Sequence, residues 1–166
     1  GLTNLFARTL GGAVGDRFGR RWGLAGRARW LFLALFTEGL ALMLFSQVSV
    51  LRLALPTLLL VGVFVQMSNG ATYAVVPFIN KKALGSVAGI VGAGGNAGAV
   101  AAGFLFRGAI PWSTAFLVLG ALVTLSAFLA FAVRFSSEAE TEARTALEAA
   151  LGDRQGSLMP APEAAA

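Results

Sequence analysis

Polar and apolar positions alternate along this chain in long blocks rather than at short period. Four runs reach the length of about 20 mostly apolar residues that a bilayer-spanning helix requires: residues 30–50, 53–79, 85–106 and 112–134. Residues 1–14 read as the tail of a fifth span, so the chain is expected to be the C-terminal portion of a longer protein. Pro56 is placed in the first turn of one span and Pro111 just before another, where a missing N–H costs little. Pro77 is expected to kink or end its span. Trp30 and Trp112 fall at span ends, where interfacial aromatics gather. Beyond 135 the pattern changes. Residues 136–152 read as a Ser-capped Ala/Glu helix, and Pro160, Pro162 and the terminal alanines as disordered tail.

Composition agrees with the pattern. The 166 residues are 57% hydrophobic and 13% charged, half the charged share of a soluble domain. Mean hydropathy is +0.75. The chain contains no Cys and no His, which removes thiol nucleophiles, disulfides, the common zinc sites and imidazole catalysis. No nucleophile–base pair stands out, so an enzyme is not expected, nor is a metal or other cofactor. The net charge of +5 would suggest nucleic acid in a soluble protein, but here the basic residues flank apolar spans. No nucleic-acid partner is expected; the lipid bilayer is.

The loops differ in charge. Arg17, Arg20, Arg21, Arg27 and Arg29 crowd one, with Asp16 as the lone acid; Lys81 and Lys82 mark another, and Arg134 follows the last span. The intervening turns hold only Arg52 and Arg107. The positive-inside rule then places the two richer loops and the C-terminus in the cytoplasm.

Polar residues inside spans are the candidates for function, because burying them is costly unless something compensates. Arg8 lies in the partial span with Asn4 one turn before and Gly12 one turn after. Its planar, permanently charged fork suits a small planar oxyanion; equally, Arg8 could snorkel to the interface or pair with a carboxylate elsewhere. Glu38, near mid-span, is a candidate proton site, a hydrogen-bonded structural group or the partner of a basic residue elsewhere in the parent protein, the structural reading favoured. Gly62, Gln66, Asn69 or Gly70, Tyr73 and Pro77 share a helix face that is small and polar, and must look into protein or a water-filled path. In the next span Gly85, Gly89, Gly92, Asn96, Ala99 and Gly103 share a face, with Gly94 and Gly98 as a GxxxG pair beside it. Close helix packing explains such a stripe; so does a lining role in which bare backbone and the Asn amide approach a ligand.

Two stretches carry a resemblance. The order Gly12-Ala-Val-Gly-Asp16-Arg17-Phe-Gly19-Arg20-Arg21 is similar to the cytoplasmic loop motif of the major facilitator superfamily. In it, glycines would permit a tight turn and Asp16 would hold arginines and a helix N-terminus. The stretches Asn69-Gly-Ala-Thr-Tyr-Ala-Val-Val-Pro-Phe78 and Gly92-Ala-Gly-Gly-Asn-Ala-Gly98 resemble the nitrate/nitrite porter family of that superfamily, its eukaryotic high-affinity branch most of all. Over residues 1–135 the resemblance implies an all-α C-terminal bundle, a partial helix 8 followed by helices 9 to 12. It implies a substrate arginine at Arg8, a path lined by Gly94, Gly95, Asn96 and Gly98, and Asn69 and Tyr73 on the path-facing side of their helix. It further implies nitrate or nitrite as substrate, protons as coupling ion, a plasma-membrane location, an N-terminal bundle carrying a second arginine, and a small accessory membrane protein in some members. The rival readings are a carrier of another small anion or solute, and a non-transporting sensor or assembly subunit.

Overall fold

The computed structural model describes residues 2–158, with the backbone alone for 2–5, 151 and 153–158. The disorder expected at Pro160, Pro162 and the terminal alanines lies outside the described residues, as do Gly1 and the side chain of Asn4. The described chain is helical almost throughout: α1 (Leu2–Ser46), α2 (Leu51–Val75), α3 (Leu84–Leu105), α4 (Trp112–Ala127) and α5 (Ser137–Leu158). Short 3₁₀ turns follow α2 and α4 (Val76–Phe78, Phe128–Ala132) and precede α3 (Lys81–Ala83). The bond-less Pro77 sits in the first of these, so α2 ends at Val75 because its regular ladder cannot continue.

The apolar stretch Phe6–Ser46 holds 41 residues, about 60 Å of straight helix against a hydrocarbon core of about 30 Å. It does not run straight. Trp22 leaves helical geometry and Gly23 adopts φ 64°, a left-handed conformation that costs a glycine nothing but strains any other residue. The chain turns back there, and α1 becomes a hairpin of two limbs, 2–21 and 24–46. The Trp30 indole donates to the Gly11 carbonyl at 2.7 Å, and Arg27 meets Asp16 at 2.7 Å, both across the hairpin. The turn expected from Gly12 and Gly19 therefore falls elsewhere. Those glycines are helical, because one left-handed residue at 23 suffices for the reversal and both helices can run up to it. Trp30, expected as an interfacial anchor, is a strut between the limbs. Pro56 lies in the second turn of α2, which starts earlier than the pattern predicts.

Small residues set how closely the helices cross. On the first limb, a methyl at Gly11 would strike the backbone of Met67; on α2, one at Gly70 would strike the carbonyl of Arg8. On the second limb, Gly39 faces Gly120 of α4 in the same way. Such backbone approach is how helices associate where lipid provides no hydrophobic drive between them. Leu31, Ala34, Ala71, Val75 and Ala130 form one buried cluster among the second limb, α2 and the 3₁₀ turn after α4, and Ala41, Leu42 and Val61 form another. Many large apolar side chains point outward, Phe6, Leu51, Ile90 and Leu129 among them. Helix α3 stands apart, with no buried residue. Helix α5 returns along the end of the bundle that carries the α1 hairpin: Lys81 pairs with Glu142, and Ala139 is buried.

Candidate functional site

Arg8 is placed by the crossing of the first limb over α2. Because Gly70 has no side chain, the Arg8 carbonyl lies against it, and the Arg8 side chain emerges beside Tyr73, one turn further along α2. The guanidinium carbon stands 5.0 Å from the centroid of the Tyr73 ring, within cation–π range. Both residues are exposed on the surface of the described chain, and no carboxylate among the described residues pairs with Arg8. On its other side, Tyr73 reaches α3: a methyl at Gly92 would stand 3.8 Å from the Tyr73 hydroxyl. Asn69 lies one turn before Tyr73 on the same face, half-buried. Arg8, Tyr73 and the middle of α3 thus meet in space although the sequence separates them widely.

The remainder of the glycine-rich face is open. Asn96 is exposed one turn beyond Gly92 on that face, and a methyl at Gly94, Gly95 or Gly98 would meet no atom within 4 Å. Within the described residues nothing packs on these positions, nor on Gly62, Gly85, Gly89 or Gly103. Helix α3 thus meets Tyr73 at Gly92 and leaves its other glycines uncovered among the described residues.

Glu38 belongs to a different place. It is buried in the contact between the second limb and α2, where the Ser68 hydroxyl donates to Oε2. Ser68 also reaches the Val65 carbonyl at 3.0 Å. Positions 68 and 73 on α2 are turned apart by about 140° at 100° per residue, so Glu38 and Arg8 address different faces of that helix.

The loop motif resolves into a knot and an open basic cluster. Asp16 holds Arg27 of the opposite limb, not Arg17, Arg20 or Arg21. Arg27 also donates to the Ala74 carbonyl at 3.1 Å and lies 4.6 Å over the Phe78 ring. Ala74 is among the last four residues of α2, whose carbonyls lack helical partners, so Arg27 satisfies a group the helix leaves open. Gly19 makes room for this, since a methyl there would press on the Arg27 side chain. Arg17, Arg20 and Arg21 line an open cleft with Phe18 at the hairpin tip. Ser68 and Gly23 are the structural residues that periodicity did not single out, whereas Gly70 belonged to the face it marked. Their signal is present but weak: a serine beside Asn69, and a glycine after an aromatic at the centre of a basic run.

Comparison with known proteins gives a consistent picture. The chain is 41% identical over 106 residues to High affinity nitrate transporter 2.5 of Arabidopsis thaliana, covering 64% of this chain and 21% of that protein. It is 33% identical over 114 residues to Nitrate transporter 2.1 of Chlamydomonas reinhardtii, covering 68% of this chain and 21% of that protein. It is 35% identical over 102 residues to the Nitrate/nitrite transporter NrtP of a Picosynechococcus strain, covering 59% of this chain and 18% of that protein. The chain thus spans about a fifth of the length of the curated relatives it matches. No family model matches it, and no solved structure is similar. Over the matched residues the chain is a homologue of nitrate and nitrite transporters, which are carriers and not enzymes. Among the described residues four helices are long and apolar enough to cross a membrane and the fold is all-α, so with its transporter homologues the chain is an integral membrane protein.

Proposed function

We propose that this chain forms the C-terminal bundle, the end of helix 8 through helix 12, of a secondary transporter that moves nitrate or nitrite by alternating access. The observation that carries this reading is Arg8. It is a permanently charged fork free of carboxylate partners among the described residues, held over Tyr73 at a glycine-close helix crossing, in a chain similar over 106 residues to a nitrate transporter. A guanidinium offers parallel N–H donors that match two oxygens of a planar oxyanion, and Lys cannot reproduce that match.

In this reading Arg8 is half of a two-arginine clamp whose other member lies in the N-terminal bundle. Asn69, Tyr73, Gly94, Gly95, Asn96 and Gly98 line the path beside it, with α3 facing the other bundle across its bare backbone. The glycine crossings let helices slide without steric locking as the bundles rock around the anion. Glu38 is the candidate proton carrier, since among the described residues it is the one carboxylate buried between spans. The protein sits in the plasma membrane with its C-terminus in the cytoplasm. Supporting that orientation, Arg27, Lys81 and α5 gather at one end of the bundle through the Arg27–Ala74 and Lys81–Glu142 contacts. A small accessory membrane protein completes the system where one is required.

The test is uptake of labelled nitrate by uptake-deficient cells expressing the full-length protein, with and without an accessory subunit. Arg8→Lys should lower uptake by tenfold or more, about 1.4 kcal/mol in binding, at unchanged surface amount. Unchanged uptake removes Arg8 from the site. Absence of nitrate uptake by the wild type even with the accessory subunit overturns the substrate.

A further inference from the structure

The contact between Arg8 and Tyr73 reaches further than ion placement. We propose that Tyr73 is a positioning residue that couples the orientation of the Arg8 guanidinium to the position of α3; this rests on the reading of Arg8 as the anion ligand. Arg8 emerges from the first limb onto an exposed surface, where a long side chain samples many rotamers, and ordering it on ligand binding costs affinity. The Tyr73 ring, 5.0 Å from the guanidinium carbon, narrows that sampling beforehand. The attraction is to the π face and not to an oxygen acceptor, so the N–H donors remain for an oxyanion to match.

The same ring carries its hydroxyl to α3. At Gly92 the Tyr73 hydroxyl is the nearest group facing the backbone, at van der Waals distance, 3.8 Å, from where a methyl would sit. Helix α3 has no buried residue, so little else in the described chain fixes its middle. Movement of α3 toward α2 presses on the hydroxyl end of the ring; movement away releases it. The other end of that ring is the seat of the charge that binds the anion. A helix whose glycines line the path would thereby alter the geometry of the arginine without touching it.

The experiment compares nitrate uptake kinetics of the full-length protein carrying Tyr73→Leu, Tyr73→Phe or Arg8→Lys, normalised to surface amount. Tyr73→Leu should raise KM about three- to thirtyfold, with a smaller fall in maximal rate, because it loosens Arg8 without removing its charge. Tyr73→Phe keeps the ring face, and its KM should lie between those of wild type and Tyr73→Leu. A KM for Tyr73→Leu within about twofold of wild type, while Arg8→Lys abolishes uptake, overturns the coupling and leaves Arg8 as ligand. Uptake retained by Arg8→Lys overturns the underlying reading instead. If Tyr73→Leu does not reach the surface, Gly92→Val decides. Its branched side chain is held in one rotamer on a helix and crowds the hydroxyl. KM should rise with Gly92→Val and fall back when Tyr73→Phe is added; an equal rise with and without the hydroxyl overturns the proposal.

Discussion

Removing Arg27 should loosen the α1 hairpin from α2 more than removing the acid it pairs with. Arg27 makes three contacts: an ion pair with Asp16 at 2.7 Å, a hydrogen bond to the Ala74 carbonyl at 3.1 Å and a cation–π contact with Phe78 at 4.6 Å. The Asp16 side chain is 57% exposed, so the ion pair contributes at most about 1 kcal/mol. The Arg27 side chain is only 18% exposed, so its charged hydrogen bond to a helix-end carbonyl is worth more, about 1.5–3 kcal/mol. The ring contact adds about 0.5–1 kcal/mol. Since these contacts share one side chain and are not additive, Arg27→Ala should cost about 2–4 kcal/mol and Asp16→Asn about 1 kcal/mol or less. The fall in melting temperature with Arg27→Ala should accordingly be several times that with Asp16→Asn. The assay is the midpoint of heat-induced loss of monodisperse full-length protein in detergent, at one fixed scan rate so that midpoints are comparable. Arg27→Lys should fall between the two, keeping the charge but losing the planar guanidinium that lies over Phe78. An Asp16→Asn shift equal to or greater than that of Arg27→Ala would refute the reasoning, because the exposed ion pair would then be the principal tie.

Three further outcomes follow from particular contacts. Gly70→Ala drives a methyl into the Arg8 carbonyl, and with backbone on both sides neither helix can yield cheaply; folded full-length protein at the cell surface should drop steeply, by about 1–3 kcal/mol or more in stability, as read by the same melting assay. Ser68→Ala should destabilise by about 1–3 kcal/mol by leaving buried Glu38 without its donor, whereas Glu38→Gln can still meet the Ser68 hydroxyl and should cost less. Uptake by Glu38→Gln that keeps the wild-type pH profile would remove Glu38 as a proton carrier. Gly23→Val puts a β-branched residue at φ 64°, and should lower the melting midpoint by the equivalent of about 1–3 kcal/mol, with Gly23→Asn milder since Asn tolerates that region.

What the sequence settled by itself was class and the residues worth suspecting. Run length and the scarcity of charge suffice for membrane-spanning helices, because in hydrocarbon every backbone group must be paired within its own segment. The oddity of Arg8, Glu38, Tyr73 and the α3 glycines was legible for the same reason: a polar or missing side chain in an apolar run stands out without any structure. Neighbours were another matter. Gly23 reads like any other glycine in a basic, glycine-rich stretch, and only the backbone shows that the reversal uses it and leaves Gly12 and Gly19 helical. Asp16 could have held any of five nearby arginines; the hairpin brings Arg27 to it and then onto α2. Arg8 and Tyr73 are 65 positions apart, and their meeting depends on two backbones touching at Gly70. Periodicity reports which face a residue occupies on its own helix. Which face of which other helix lies against it is decided by packing, through the few positions small enough to let backbones approach.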